Sequence, residues 1–180
     1  MYYKLIFPVL KPKCFQMHIQ RPIMHKVFVY GTLKRGEPNH YWLQNKKNGI
    51  GKFLAEGLTK TRYPLIIATR YNIPFLLHEP GEGYNIEGEV YEVDDNMLSQ
   101  LDILEDHPKY YVREKDEILT KDDQSWECWV YFLKNYKPEL LLRPRLVTYS
   151  STGPHGLVYL DRSLRDASFD HRTEIKPDCE

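Results

Sequence analysis

Apolar and aromatic residues recur in short runs along most of this chain, and polar turn residues separate one run from the next. The run from Ile86 to Val93 alternates most clearly between apolar and polar positions, which is typical of a strand with one buried face. Closely spaced runs of this kind predict a small α+β fold with a curved, mainly antiparallel sheet or barrel and a few short helices. The other predicted strands are Val27 to Tyr30, Phe53 to Thr61, Leu65 to Ala68, Phe75 to His78, Tyr110 to Leu119 and Trp126 to Leu133.

Two segments between these runs predict helices. Apolar residues at helical spacing follow the acidic pair Asp94-Asp95. The negative charges of this pair would be stabilised by the positive, N-terminal end of the helix dipole. We expect this helix to end by His107, because Pro108 disfavours helical backbone in the residue before it. Asn39 is the expected cap of a shorter helix from Tyr41 to about Lys47. The apolar face of the longer helix consists of Met97, Leu98, Leu101 and Leu104.

The first predicted strand ends abruptly in a turn. Tyr30 is followed by Gly31, Thr32 and Leu33, and then by a polar stretch that begins at Lys34. Where a strand has ended and a helix has not begun, successive backbone N–H groups can point together without partners of their own. We therefore expect this turn to bind an anion. The alternative interpretation is that Gly31 only reverses the chain direction.

Composition divides the chain into one domain and two ends. Residues 25–160 predict a single folded domain, because they are long enough to bury a core and show no internal repeat. Residues 1–24 predict a disordered leader, since the first 23 contain four lysine or arginine residues and no acidic residue. A mitochondrial transit peptide is the alternative for this leader. Residues 161–180 are charged and polar, and they predict a flexible charged tail.

Charge and cysteine content limit the partners and the compartment. Lysine plus arginine and aspartate plus glutamate both number 25, so no overall field would attract nucleic acid or an anionic membrane. The three cysteines lack CxxC spacing, and Cys128 lies in an apolar run where a reduced, buried thiol is expected. We therefore expect a cytoplasmic protein, located in the cytosol.

Common catalytic motifs are absent from the sequence. The seven histidines show neither HxxxH nor HExxH spacing, and neither a Walker loop nor a GxSxG elbow occurs. Glu105 differs from the other acidic residues because it lies at the C-terminal end of a predicted helix, beside Asp106. The negative end of the helix dipole and the like charge both disfavour ionisation, so this carboxyl could titrate nearer neutrality and accept a proton. The alternative is a solvated acid at a helix end.

Several short motifs are spread between about Lys26 and Leu160. Their occurrence in this order is much stronger evidence for a protein family than any single motif would be. This series resembles the γ-glutamylamine cyclotransferase family, within the larger γ-glutamylcyclotransferase-like (AIG2-like) group. The segments are Val27-Phe-Val-Tyr-Gly-Thr-Leu-Lys-Arg-Gly36, Pro38-Asn39-His40, Tyr63-Pro-Leu65, Asn72-Ile-Pro-Phe-Leu-Leu-His78, Glu87-Gly-Glu-Val-Tyr91, Met97-Leu98, Leu101-Asp102, Glu105, Pro108, Tyr111 and Gly153-Pro-His-Gly-Leu157.

The resemblance implies a mixed α/β fold around one pocket, and it implies specific site residues. Tyr30, Gly31, Thr32 and Leu33 would bind the γ-glutamyl group of the substrate. Glu105 would be the general acid and base of a lyase or acyltransferase that releases an amine and forms 5-oxoproline. The implied substrate is a small-molecule γ-glutamyl amine, typically ε-(γ-glutamyl)lysine. No cofactor, metal, nucleic acid, membrane or obligate protein partner is implied.

Elementary chemistry agrees with this reading of the residues. A γ-glutamyl amine carries its own nucleophile, the α-amino group, and its own electrophile, the γ-carbonyl, so the protein need not supply a serine or cysteine. We expect Tyr111, Ile73-Pro74 and the loop Gly153-Pro-His-Gly156 near the pocket, with Tyr111 as a wall and the loop as a candidate lid. Two alternatives remain: cyclotransfer on other γ-glutamyl amino acids or glutathione, and a non-catalytic interaction protein that keeps the fold.

Overall fold

Five strands of this computed structural model close into a barrel, and the structure describes residues 22–177. The elements in chain order are β1 (Met24–Val29), α1 (Tyr41–Gln44), β2 (Gly51–Thr59), β3 (Leu65–Ala68), β4 (Ile73–Leu76), β5 (Glu87–Asp94), α2 (Asp95–Leu104), β6 (Val112–Thr120), β7 (Ser125–Phe132) and three 3₁₀ helices, Pro138–Leu142, Arg162–Leu164 and His171–Glu174.

The barrel order is β1-β5-β2-β6-β7, and β3 and β4 form a separate hairpin. All barrel pairs are antiparallel except β1 with β7, which meet in parallel at Val27 and Trp129. This confirms the expected α+β class with a mainly antiparallel barrel. The parallel contact closes the barrel and places the end of β1 beside β7.

The core fills the barrel and the space beneath the hairpin. Val27, Leu65 and Phe75 are fully buried, and the strands that carry them have runs of consecutive apolar, buried residues, as in strands covered on both faces. β3 pairs with β4 from Leu65–Leu76 to Ala68–Ile73. Ile73 and Pro74 of the hairpin line a cavity together with the end of β1.

Helix α2 begins as the sequence predicts and ends slightly earlier. The Asp94 side chain caps it by accepting a hydrogen bond of 2.9 Å from the backbone N–H of Met97. Met97, Leu98 and Leu101 are buried. The last helical residue is Leu104, and Glu105 is the C-cap. The buried face of α2 therefore fixes where the Glu105 side chain emerges.

The predicted cap of the shorter helix is wrong. His40, not Asn39, is the N-cap of α1, and it makes no side-chain cap bond. The Asn39 side chain instead donates to Thr32 Oγ1 at 2.9 Å and to the Tyr159 hydroxyl at 3.1 Å. Asn39 is buried, so its amide is used to hold the turn after β1 rather than to start a helix.

Residues 161–177, hereafter the C-terminal segment, pack against the body of the protein instead of forming the expected flexible tail. Ile175 is fully buried in the core, and its carbonyl accepts a 2.7 Å hydrogen bond from the N–H of Lys137. Glu174 pairs with Arg70 in the β3–β4 turn. The segment is therefore anchored by one buried isoleucine and by ion pairs of its charged residues, which composition alone does not reveal.

The predicted leader lies almost entirely outside the described residues, which begin at 22, and β1 already starts at Met24. Within residues 22–177, no helix has both the length and the apolar character needed to cross a membrane.

Candidate active site

A cavity of about 140 Å³ lies between the end of β1, the C-terminal end of α2, the β3–β4 hairpin and the C-terminal segment. Its wall includes all four residues of the predicted turn, Tyr30 to Leu33, and also Glu105. The structure therefore brings the two halves of the expected site, far apart in sequence, to one shared hollow.

The turn after β1 is held from both sides. The Tyr30 hydroxyl donates a buried hydrogen bond of 2.8 Å to the backbone carbonyl of Tyr131, which fixes the strand end against β7. At Gly31, a Cβ atom would lie 3.0 Å from Cγ of Pro74. A side chain at this position would press against Pro74, so glycine suits the close approach of β4.

The backbone polarity of the turn suits an anion. Its carbonyls are used within the protein: Lys34 N–H donates to Gly31 O at 3.2 Å, and Asn39 N–H donates to Thr32 O at 2.9 Å. Within residues 22–177, the backbone N–H groups of Gly31, Thr32 and Leu33 donate no hydrogen bond. The three residues that carry these N–H groups line the cavity, so the groups are candidates to bind a carboxylate or oxyanion.

The Glu105 carboxyl has an altered acidity. Burial raises the pKa of Glu105 from 4.5 to about 7, and the positive charge of Arg162 opposes that rise more weakly. Among the described residues, no hydrogen bond or ion pair engages its side chain. The carboxyl is thus poised to accept or donate a proton near neutral pH.

The cause of this shift differs from the one expected from sequence. Asp106, the neighbouring acid, pairs with Arg172 at 2.8 Å, so its charge is compensated. Burial, not the like charge or the helix end, is the largest cause of the raised pKa. The sequence shows that Glu105 follows an amphipathic helix, but the elements that cover it come from distant parts of the chain.

Two adjacent tyrosines, Tyr110 and Tyr111, form another part of the cavity wall. Tyr111 is buried, stacks on Phe75 with ring centroids 6.0 Å apart, and meets Tyr110 edge-on at 5.0 Å. Burial raises the pKa of Tyr111 well above its ordinary value, so the phenol stays protonated at neutral pH. The expected place of Tyr111 in the pocket wall agrees with this geometry.

The sequence interpretation missed the basic side of the cavity. Four residues of the C-terminal segment line it, and all lie in the stretch read as a solvated tail. A possible signal was the presence of Phe169 and Ile175 among these charged residues, since a free tail has no use for large apolar groups. The four are Arg162, Arg165, His171 and Arg172.

The Gly153-Pro-His-Gly156 loop is not part of the cavity wall, although its neighbour Tyr159 is. The His155 ring bonds to the carbonyl of Ser150 at 2.7 Å and accepts from the N–H of Leu157 at 3.0 Å. These local bonds explain the histidine as part of a turn, so the expected lid finds no support here. Within residues 22–177, histidine, cysteine and acidic side chains form no cluster able to hold a metal ion.

Comparison with known proteins identifies the family. A family model described as "Gamma-glutamyl cyclotransferase, AIG2-like" matches residues 27–150, more than half of the chain. The chain belongs to this family. The AIG2-like cyclotransferase family predicted from the ordered motifs is thereby confirmed, and the protein is an enzyme of the cyclotransferase type.

Relatives of this AIG2-like cyclotransferase match over most of their length. A putative gamma-glutamylcyclotransferase of Drosophila melanogaster is 53% identical over 143 residues, which cover 79% of this chain and 90% of the relative. The gamma-glutamylaminecyclotransferase of Homo sapiens is 43% identical over 153 residues, covering 79% of this chain and 100% of the relative. A crystal structure of an AIG2-like protein from Mus musculus aligns with a TM-score of 0.76 at 43% identity, over 79% of this chain and 99% of that one.

Proposed function

We propose that this protein is a γ-glutamylamine cyclotransferase that cleaves ε-(γ-glutamyl)lysine-type isopeptides to 5-oxoproline and a free amine. The observation that carries the proposal is that Glu105 and the N–H-lined turn Tyr30 to Leu33 border the same small cavity. The human relative that bears the gamma-glutamylaminecyclotransferase name supports the substrate class.

Glu105 is the proposed general acid and base. Its carboxylate takes a proton from the α-ammonium of the substrate, and the freed amine attacks the γ-carbonyl carbon to close a five-membered ring. The bond from that carbon to the amine nitrogen then breaks, and Glu105 returns the proton to this nitrogen. The attacking nitrogen loses a second proton as the ring closes, and this proton also passes to the leaving nitrogen. 5-Oxoproline therefore keeps one N–H and the amine leaves as an ammonium ion, with no proton gained or lost overall.

The proposed role of the turn is to hold charge. The N–H groups of Gly31, Thr32 and Leu33 can bind the substrate carboxylate or the oxyanion that forms as the ring closes. Holding the chain for ring closure is worth effective molarities of roughly 10⁵–10⁸ M, and one positioned base adds about 10²–10⁴-fold. With these two effects, the reaction does not require a nucleophilic side chain from the protein.

The substrate is tested by comparing turnover. Purified protein is incubated with ε-(γ-glutamyl)lysine, γ-glutamyl-alanine and glutathione, and 5-oxoproline is quantified with the released amine. We expect the highest kcat/KM with the isopeptide. A preference for γ-glutamyl-alanine or glutathione would favour the second candidate, a cyclotransferase for γ-glutamyl amino acids, which the name of the 53%-identical Drosophila relative supports.

A non-catalytic role gives a different result in the same experiment. Such a protein would bind 5-oxoproline or a γ-glutamyl compound and release no product from any of the three substrates.

We also propose a cytosolic location and a small-molecule substrate as the main partner. The free thiol of Cys128 is fully buried, and burial raises its pKa to about 12, which keeps it unreactive and suits a reducing compartment.

A further inference from the structure

We propose that Arg162, supported by Arg165, forms a subsite for a carboxylate on the amine half of the substrate. The inference rests on the proposed function and extends it from the γ-glutamyl half, which the turn and Glu105 serve, to the half that leaves. It predicts a preference for ε-(γ-glutamyl)lysine over the γ-glutamyl derivative of the corresponding amine that lacks the carboxylate.

Arg162 combines access with an unused charge. It lines the cavity together with Glu105, and the residue as a whole is exposed, so it is accessible both to a ligand in the cavity and to solvent. Within residues 22–177, no hydrogen bond or ion pair engages this guanidinium. The adjacent acid, Asp161, accepts instead from the N–H and hydroxyl of Ser163, at 2.8 and 2.7 Å.

Arg165 lines the same cavity and is held by more contacts than Arg162. Its Nε donates to the Leu160 carbonyl at 3.0 Å, and its guanidinium carbon lies about 5 Å from the ring centres of Tyr71 and Tyr159, at 5.1 and 5.0 Å. The Nη2 atom of Arg165 is buried without a hydrogen-bond partner in the described structure. A buried donor left unpaired costs free energy, which a carboxylate oxygen would recover on binding.

The third arginine of the cavity is engaged elsewhere. Arg172 pairs with Asp106 at 2.8 Å and lies over the Tyr110 ring at 4.9 Å from its centre. The cationic charge available to a ligand therefore comes from Arg162 and the free Nη2 of Arg165. Both arginines line the same cavity, and a guanidinium matches the planar geometry of a carboxylate.

The position of these groups selects the amine half. The γ-glutamyl half is expected at the turn, where unpaired N–H groups meet the cavity, and the scissile bond at Glu105. The released group must then extend toward the opening, where Arg162 lies. In ε-(γ-glutamyl)lysine this group ends in an α-carboxylate at the far end of a flexible side chain. Both arginines lie beyond residues 27–150, the part that the family model matches.

The test compares two substrates that differ only in this carboxylate: ε-(γ-glutamyl)lysine and γ-glutamylcadaverine. For the wild type and Arg162→Ala, kcat and KM are measured with both. We expect Arg162→Ala to lower the ratio of kcat/KM for isopeptide over γ-glutamylcadaverine by about tenfold, mainly through KM, as for the loss of one charge-assisted contact. Arg162→Lys should show a ratio between those of Arg162→Ala and the wild type, because lysine keeps the positive charge but lacks the two parallel N–H donors of a guanidinium.

Arg143→Ala is the matched control, since Arg143 is exposed and lies outside the cavity while its loss changes the net charge equally. Its ratio should equal that of the wild type. An unchanged ratio in Arg162→Ala, or an equal fall in Arg143→Ala, would overturn the subsite. A wild-type protein that turns over neither substrate would overturn the proposed function itself, which is a separate result.

Discussion

Glu105 concentrates the chemistry of the molecule in one ionisable group. Its motif position could be recognised from the sequence, because an amphipathic helix ending at Leu104 precedes it. Its acidity could not be explained from sequence, since the burial that raises the pKa to about 7 depends on elements distant in the chain. The local cause expected from Asp106 fails because Arg172 compensates that charge.

The raised pKa predicts how activity depends on pH. If ionised Glu105 is the base, kcat/KM should rise through an apparent pKa of about 7 and level off above it, until the substrate ionises. The measurement is the initial rate of 5-oxoproline release between pH 5 and 9, at a substrate concentration far below KM. A kcat/KM that is already level from pH 6 upward would instead show that the carboxyl behaves as a solvated acid, with its ordinary pKa of 4.5.

The same shift predicts an effect on stability. Because the native pKa lies above the unfolded value of 4.5, the native state retains a proton that the unfolded chain releases, and the free energy of unfolding falls between pH 4.5 and 7. Glu105→Gln removes this cost. We expect the variant to be more stable than wild type by on the order of 2 kcal/mol at pH 8, and equally stable at pH 4. Urea unfolding at both pH values measures the difference, and a constant difference would contradict the burial argument.

At the scale of elements, the turn after β1 shows what local sequence can and cannot predict. Val27 to Tyr30 and the glycine after them predicted a strand and a turn, and both are present. The reason for glycine is not local, because Pro74 of β4 packs closely against it. Asn39 likewise looked like a helix cap and instead ties Thr32 to Tyr159.

Gly31→Ala tests this close approach. The new Cβ would lie 3.0 Å from Pro74 Cγ, so the turn or Pro74 must shift by a few tenths of an ångström. We expect kcat/KM to fall by about tenfold or more, with a loss of unfolding free energy of roughly 1 kcal/mol. Gly36→Ala is the control: its added Cβ meets nothing within 4 Å, but its φ of +79° strains alanine. It should lose similar stability, about 1 kcal/mol, and keep activity.

At the scale of the whole molecule, the barrel follows from alternating strands, whereas the closure of the cavity does not. The strand pattern predicted a mainly antiparallel barrel because each strand has its own period-two signal. The C-terminal segment has no such period, and its attachment depends on Ile175 and on the pair between Arg70 and Glu174. A few anchoring residues of this kind cannot be recognised from the composition of a mainly charged segment.

Ile175→Ala tests whether the segment belongs to the folded body. Ile175 is fully buried, so truncation should cost about 2–4 kcal/mol of unfolding free energy and loosen the wall that carries Arg162 and Arg165. Leu164→Ala is the matched control, because that leucine is 71% exposed. It should change stability by less than about 0.5 kcal/mol. Equal, small effects of both substitutions would support a flexible tail.

The most direct test of the central claim is turnover of ε-(γ-glutamyl)lysine by Glu105→Gln, with 5-oxoproline binding measured on the same preparation by calorimetry. The account predicts that 5-oxoproline release falls by about 10²–10⁴-fold while 5-oxoproline still binds, because the cavity and the turn remain intact. A Glu105→Gln protein that releases 5-oxoproline at the wild-type rate would contradict it.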